Sequence, residues 1–295
     1  MIILENDVLK AEISLHGAEL RSAVRKDKDA SYLWYADSKF WGRTSPVLFP
    51  FVGGVKDKVY RTEGKAYAMG QHGFARDMDF VLTEQTADEA WFALDSTDET
   101  LKKYPYRFRL EIGYRLNGGS IRVMWRVKNT DSKEMYFSIG AHPAFMCPMK
   151  EDEEQSTYQV SFYDADGKKL ETVVSTSIGS KGLVVDEKVT YELNDGCLYV
   201  TEHLFDHDAL VLEHNQVQQI GLKDADGNEY IRVKFDTPLV GVWSPPGKKA
   251  PFVCIEPWYG RCDAENFAGE LKDREWSNTL EAGKLFEAEY EIITF

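Results

Sequence analysis

The chain has 295 residues and a formal net charge of −14, from 35 lysines and arginines against 49 aspartates and glutamates. Hydrophobic residues make up 43% of it, which is enough to build a large core and excludes a globally disordered chain. Because phosphate backbones bind to basic surfaces, the acidic charge argues against a nucleic-acid partner or an anionic membrane.

The cysteines and the first residues together predict a cytoplasmic protein. The four cysteines lack Cys-x-x-Cys spacing, so neither a zinc ribbon nor a thioredoxin motif is indicated. In a chain of this length they are expected to be reduced thiols, which fits the cytosol. The first residues lack the basic region of a signal peptide, and no apolar run reaches the roughly 18 residues of a membrane helix.

The first predicted element in chain order is a short helix over residues 97–104, with Thr97 or Asp98 as its N-cap and a proline after its last residue. Two strands follow over residues 107–116 and 120–128, where apolar side chains alternate with polar ones on either side of an Asn-Gly-Gly turn. This period of two predicts a β-hairpin with one buried and one exposed face.

A second hairpin is predicted from residues 218–223 and 230–235, joined by an Asp-Gly-Asn turn, and residues 286–292 alternate in the same way. Many short strands joined by such turns, with few helical signals, predict an all-β fold built as a large antiparallel β-sandwich. The chain has no internal repeat, low-complexity tract or linker, so we expect a single domain over residues 1–295.

Four segments break the alternation and concentrate Gly, Pro, His and aromatic residues, namely residues 41–54, 70–77, 140–145 and 254–263. Within them His142 and Glu256 each precede a proline, which restricts the backbone to extended conformations. If the two side chains face each other, Glu256 can act as a general base and His142 as a general acid, with the carboxylate raising the imidazole pKa. The alternative is a histidine satisfied in the core and a glutamate in a salt bridge.

Metal and nucleotide sites are not expected. His203 and His207 would share one face of a helix and suggest zinc, but residues 209–212 predict a strand and His-Glu-x-x-His is absent. The Asp-rich segments 164–167 and 224–227 lack the later acidic positions of a calcium loop and predict hairpin turns. We therefore expect no metal and no cofactor.

The four irregular segments, taken in chain order, carry a resemblance to a known family, and three motifs lie within them. They are Gln-His-Gly-Phe-Ala-Arg at 71–76, Gly-Ala-His-Pro-Ala-Phe at 140–145 and Ile-Glu-Pro-Trp at 255–258. Over essentially the whole chain the sequence resembles the aldose 1-epimerase (galactose mutarotase-like) superfamily, specifically its LacX-like branch. The resemblance implies a galactose mutarotase-like supersandwich, in agreement with the strand pattern.

The resemblance also implies a mechanism without a cofactor and a sugar as the small-molecule partner. Glu256 would take the proton of the anomeric hydroxyl while His142 protonates the ring oxygen. The open aldehyde would then reclose as the other anomer. The substrate-binding residues implied are His72, Arg76, Arg43, Trp258 and Asp208, with Asp206 nearly as good a choice as Asp208. Trp258 and Phe145 are expected to stack on the sugar.

The substrate class stays open at this point. Arg43 and Arg76 match positions that bind phosphate in the hexose-6-phosphate branch, so a phosphorylated aldose is an alternative to a neutral one. LacX-like sequences often have Arg where this chain has Gly54, which puts the substrate class or the activity in question. A non-catalytic sugar-binding protein is a further alternative. A glycoside hydrolase is a weaker one, because Glu256 has no clear second carboxylate.

Overall fold

The computed structural model describes residues 1–28, 30–150 and 152–295. The predicted helix is confirmed as α1, Asp98–Lys103, and Thr97 and Thr100 cap it reciprocally through their side chains and backbone N–H groups. Short 3₁₀ helices cover Lys56–Lys58, Ala75–Asp77, Gln155–Thr157 and Leu271–Asp273.

Strands account for most of the regular structure, and their bounds in chain order follow. The first half has β1 Ile2–Glu5, β2 Leu9–Ile13, β3 Leu20–Arg25, β4 Ala30–Ser31, β5 Val47–Leu48, β6 Val59–Thr62, β7 Lys65–Ala68, β8 Val81–Gln85, β9 Glu89–Asp95, β10 Phe108–Asn117, β11 Ser120–Asn129, β12 Met135–Phe137, β13 Ile139–Ala141 and β14 Ala144–Met146. The second half has β15 Gln159–Tyr163, β16 Thr172–Ile178, β17 Val184–Glu192, β18 Cys197–Tyr199, β19 Leu210–Glu213, β20 Gln219–Lys223, β21 Glu229–Phe235, β22 Leu239–Trp243, β23 Phe252–Tyr259, β24 Asn278–Leu280 and β25 Leu285–Thr294.

Two large antiparallel sheets dominate the fold. One has nine strands in the order β18-β15-β20-β21-β25-β11-β10-β9-β8, and the other has eight in the order β17-β16-β19-β22-β23-β13-β5, with β14 also paired to β23. Both predicted hairpins are confirmed, because β10 pairs with β11 and β20 pairs with β21. The predicted last strand is β25, which lies in the middle of the nine-stranded sheet.

The main hydrophobic core lies between these sheets. Leu110 and Val123 come from the nine-stranded sheet, and Val253 and Ile255 come from the eight-stranded sheet, and all four belong to one buried cluster. Each fully buried side chain of this size contributes about 2 kcal/mol of transfer free energy. The all-β, antiparallel sandwich expected from the alternation is therefore the observed architecture.

The outer face of the eight-stranded sheet carries the polar residues that matter below. On β23, Val253 and Ile255 enter the core, so Glu256 and Trp258 lie on the opposite face. These two residues are nevertheless buried, at 2% and 6% exposure. Among the described residues no helix is long and apolar enough to cross a membrane.

Candidate active site

A pocket of about 440 Å³ opens on the outer face of the eight-stranded sheet, and we call it the central pocket. Its volume is in the range usual for small-molecule sites. It brings together the predicted catalytic and substrate-binding residues, but not Phe145; those that line it are Arg43, His72, Arg76, His142, Asp208, Glu256 and Trp258.

His142 and Glu256 are in contact at the centre of this pocket. His142 joins β13 to β14, and both of these strands pair with β23, which carries Glu256. The Nε2 atom of His142 lies 3.3 Å from Oε2 of Glu256. The side chains are only 9% and 2% exposed, so the pair is shielded from bulk water. Strand pairing thus brings together two residues that are far apart in sequence.

Burial controls the charge of this pair. It raises the pKa of Glu256 well above its usual value, and the nearby Asp208 carboxylate adds to the effect. It lowers the pKa of His142 to about 3, with a smaller contribution from the Arg76 guanidinium. The sequence led us to expect that a neighbouring carboxylate would raise the pKa of His142, but the direction is the opposite, because burial removes hydration and also raises the pKa of the Glu256 carboxyl group itself.

His72 is fixed by the backbone of Gly53. The N–H of Gly53 donates to Nδ1 of His72 at 3.1 Å, and the His72 N–H donates to the Gly53 carbonyl at 2.9 Å. Because Nδ1 accepts a hydrogen bond, the neutral ring carries its proton on Nε2. Burial lowers the pKa of His72 well below its usual value. The next residue, Gly73, has φ +70° and packs so closely on Phe49 that a Cβ would lie 2.3 Å from its carbonyl oxygen.

Aromatic rings enclose the pair. Trp41 stacks on the His142 imidazole with ring centroids 4.7 Å apart, and Trp243 meets the same ring edge-on at 5.5 Å. Sequence reasoning missed both tryptophans as site residues. Trp41 lies in an irregular segment that pointed to it, but Trp243 lies in a regular strand with no such signal.

Trp258 differs from the expected exposed stacking platform. Its side chain is buried over two strands whose glycines make room for the ring, since a Cβ at Gly140 or Gly241 would lie 2.6 or 2.4 Å from it. Its indole N–H comes near enough to Glu256 to lower the pKa of that carboxyl group, but outside hydrogen-bond geometry. Phe145, the other expected platform, is fully buried in the main core and does not line the pocket.

The two arginines converge on one end of the pocket and share Asp77. Arg43 donates to the Asp77 carboxylate at 2.6 Å, and Nε of Arg76 lies 3.9 Å from its other oxygen. Arg76 also donates to the Gln71 carbonyl at 2.9 Å. Burial lowers the pKa of Arg76 to about 10, and the Arg43 charge adds to this effect. The two guanidinium groups thus share one carboxylate in direct contact, and Glu19 is a weaker negative neighbour of Arg76.

The structure places the two candidate aspartates, Asp208 and Asp206, in different surroundings. Asp208 lines the pocket, and burial raises the pKa of its carboxyl group. Asp206 instead contacts His203 at 2.8 Å, on a segment of turns at the surface. His203 and His207 therefore do not share a helix face, because residues 202–207 form turns. Gly54 lies beside Gly182 and Leu183 rather than in the pocket lining.

Four buried polar atoms of the pocket have no hydrogen-bond partner among the described residues: Nε of Arg76, Nδ1 of His142, Oε2 of Glu256 and Nε1 of Trp258. Buried polar groups in folded proteins are nearly always paired, so each exception needs an explanation. All four atoms are buried and belong to residues that line one cavity, which marks this cavity as the place where a polar ligand would be expected to bind.

One set of side chains at the pocket has metal-ligand chemistry. His142, Cys254 and Glu256 offer a nitrogen, a sulfur and an oxygen that all lie within 4.8 Å of one another. Cys254 is two residues before Glu256 on β23 and shares its face. Burial raises the pKa of the Cys254 thiol well above its usual value, which disfavours the thiolate that a metal would need.

Comparison with known proteins agrees with this architecture. The family model described as aldose 1-epimerase matches residues 1–292. The chain is 32% identical over 282 residues to the chromosomal protein LacX of Lactococcus lactis, covering 92% of each. A galactose mutarotase related enzyme from Lactobacillus acidophilus superposes with a TM-score of 0.92 at 32% identity, covering 100% of this chain and 97% of the other.

A galactose mutarotase-like protein from Lactobacillus casei gives a TM-score of 0.91 at 31% identity, with both chains covered completely. A putative aldose 1-epimerase from Escherichia coli shares the fold at 13% identity and a TM-score of 0.75. The family and the fold support a carbohydrate epimerase. By its whole-length match and its geometry, the chain belongs to the aldose 1-epimerase family.

Proposed function

We propose that the protein interconverts the α and β anomers of an aldose, with Glu256 and His142 as the proton-transferring pair. The observation that carries the proposal is the 3.3 Å contact of these two side chains in a pocket where four buried polar atoms, on His142, Glu256, Arg76 and Trp258, have no partner among the described residues. A general acid and a general base must both reach the substrate, and the shared pocket meets that requirement.

The reaction is a ring opening followed by reclosure. The Glu256 carboxylate takes the proton of the anomeric hydroxyl, and the C1–O1 bond becomes a carbonyl. The C1–O5 bond breaks, its electron pair goes to O5, and the His142 imidazolium protonates that oxygen. Rotation about C1–C2 presents the other face of the aldehyde, and the same two proton transfers run backwards on closure.

The pair must hold one proton in total for this reaction. This single proton can be placed in two ways. Glutamate with imidazolium is the form before ring opening, and glutamic acid with imidazole is the form after it. Burial disfavours charge on both groups, so the doubly charged form depends on the sugar and on nearby polar groups. His72, with its proton on Nε2, supplies a neutral hydrogen-bond donor to the substrate.

A neutral aldose is the first candidate substrate, and a hexose 6-phosphate is the second. The second is favoured by the two guanidinium groups at one end of the pocket, because phosphate oxygens accept forked, charge-assisted hydrogen bonds. Turnover of glucose and galactose against their 6-phosphates separates the two. Equal or faster rates with the neutral sugars, unchanged in Arg43→Ala and Arg76→Ala, would end the phosphate alternative.

The proposal is tested by saturation-transfer NMR of anomer exchange with glucose and galactose, each with and without a 6-phosphate. The parent protein should accelerate exchange of at least one of them, and His142→Asn should lower kcat/KM at least about 100-fold. His16→Asn is the matched control, because His16 is exposed and lies outside the pocket. Exchange by His142→Asn at the parent rate would show that His142 is not the acid.

A further inference from the structure

A second cavity of about 740 Å³ lies beside the central pocket on the same face of the eight-stranded sheet, and we call it the side pocket. Val211 of β19 lines the central pocket, while Glu213, two residues along the same strand, lines the side pocket. Residues two apart on a strand share a face and are separated by about 7 Å, roughly the length of one pyranose ring. Arg261 lines both cavities and marks their boundary.

The side pocket has a rigid aromatic wall. The Trp276 indole N–H donates to Oε1 of Glu213 at 3.0 Å, and the same oxygen accepts from Nε of Arg261 at 2.7 Å. Trp276 has φ +61°, a backbone conformation that bulky residues rarely adopt. The ring is thus held in place by the buried pair beneath it. A fixed aromatic face beside hydrogen-bonding groups suits the apolar face and the hydroxyl groups of a sugar ring.

The charge of the side pocket selects against anions. Its acidic lining residues are Asp186, Glu213, Glu265 and Glu275, and its basic ones are Lys188 and Arg261. Carboxylates therefore outnumber cations by two, with histidine counted as neutral. A phosphorylated or carboxylated ring would be repelled, whereas a neutral ring gains hydrogen-bond partners.

We propose that the side pocket binds the second ring of a neutral reducing oligosaccharide whose reducing-end ring lies in the central pocket. This inference rests on the proposed function, and it specifies the substrate class as larger than a monosaccharide. Binding of the remote ring lowers the free energy of the complex without changing the chemistry at C1.

The test compares anomer exchange of maltose and lactose with that of glucose and galactose. The disaccharides are expected to show a kcat/KM at least about tenfold higher. Asn266→Trp fills the side pocket from an exposed rim position, and it should bring the disaccharide values to within about threefold of the monosaccharide values. Asn228→Trp, at an exposed turn outside both pockets, is the matched control and should keep the difference.

A binding measurement separates this inference from the proposed function. In saturation-transfer-difference NMR with Glu256→Gln, protons of the non-reducing ring of maltose should receive saturation, and adding Asn266→Trp should abolish it. The role of the side pocket as a sugar site is refuted if kcat/KM is equal for monosaccharides and disaccharides. It is also refuted if Asn266→Trp and Asn228→Trp have the same effect on the disaccharide kcat/KM. Absence of catalysed exchange for every sugar, with saturation of the non-reducing ring retained, would refute the proposed function alone.

Discussion

Two buried acid–base pairs, Asp263 with Arg274 and His142 with Glu256, differ in how completely their polar atoms are hydrogen-bonded. Asp263 and Arg274 are each 3% exposed and lie 2.5 Å apart. Asp263 also accepts from the Lys56 N–H, and Arg274 also donates to the Arg261 carbonyl and covers the Phe51 ring. His142 and Glu256 are similarly buried, yet atoms of both lack partners among the described residues.

The difference indicates what each pair is for. Complete pairing in the first case compensates the cost of removing two charges from water, so that pair supports the fold. Incomplete pairing in the second case costs stability, and we infer that it is kept because a ligand supplies the missing partners. The comparison predicts that substitutions at one pair change mainly stability and substitutions at the other change mainly rate.

The largest stability effect is expected at the satisfied pair. Asp263→Asn removes the charge that compensates Arg274 and should lower the free energy of unfolding by about 3 kcal/mol. Asp95→Asn is the matched control, because Asp95 is 61% exposed in its contact with Arg109 and should cost less than about 1 kcal/mol. Urea denaturation of both variants measures the difference. Equal effects would contradict the assignment of the first pair to fold support.

The open pair should give an unusual pH profile. Because burial lowers the pKa of His142 to about 3, the pair takes up a second proton only near that pH. Because burial raises the pKa of Glu256, the pair keeps its single proton well above the usual carboxyl range. We expect kcat/KM to stay level from about pH 6.5 down to about pH 4, whereas an ordinary imidazole would give a limb near pH 6.5. A fall in kcat/KM with an apparent pKa near 6.5 would refute the lowered pKa of His142.

A smaller effect is expected at Trp258. Replacement by Phe removes the indole N–H that lowers the pKa of Glu256, and should reduce kcat/KM about tenfold. The basic limb of the profile should move to higher pH, since the Glu256 pKa rises further without this group. A loss of packing alone would lower the rate without moving that limb.

No effect is expected from chelation. Proton transfer between the sugar and two side chains needs no metal, so exhaustive treatment with a chelator should leave anomer exchange unchanged. Loss of activity that zinc restores would contradict this, and would point to His142, Cys254 and Glu256 as ligands.

Local patterns in the sequence predicted much of the fold and the centre of the site. Alternation with turn residues correctly predicted both hairpins, because one face of each strand must be buried. The motifs around His142 and Glu256 pointed to residues that the structure places 3.3 Å apart.

Other features depend on distant segments and had no local signal. Stacking of Trp41 on His142 and the contact of Arg43 with Asp77 arise only when separate segments meet, whereas the contact of Arg76 with its neighbour Asp77 could be expected from the sequence. The direction of the His142 pKa shift could not be predicted either, since it is the sum of burial by several strands and loops. The same holds for the burial of Phe145 in the main core.

The central claim is that the open pair performs chemistry, and a matched pair of carboxyl-to-amide substitutions tests it most directly. Glu256→Gln should lower the rate of anomer exchange at least about 100-fold. It should also keep or raise the free energy of unfolding at pH 7, because a carboxyl group whose pKa is higher in the folded than in the unfolded state destabilises the fold at any pH above its unfolded-state pKa. Asp263→Asn, measured well below its Tm, should keep the rate within about threefold while losing stability. Anomer exchange by Glu256→Gln at the parent rate would contradict the catalytic role of Glu256. A fall in rate that is fully explained by unfolding of the variant would contradict it as well.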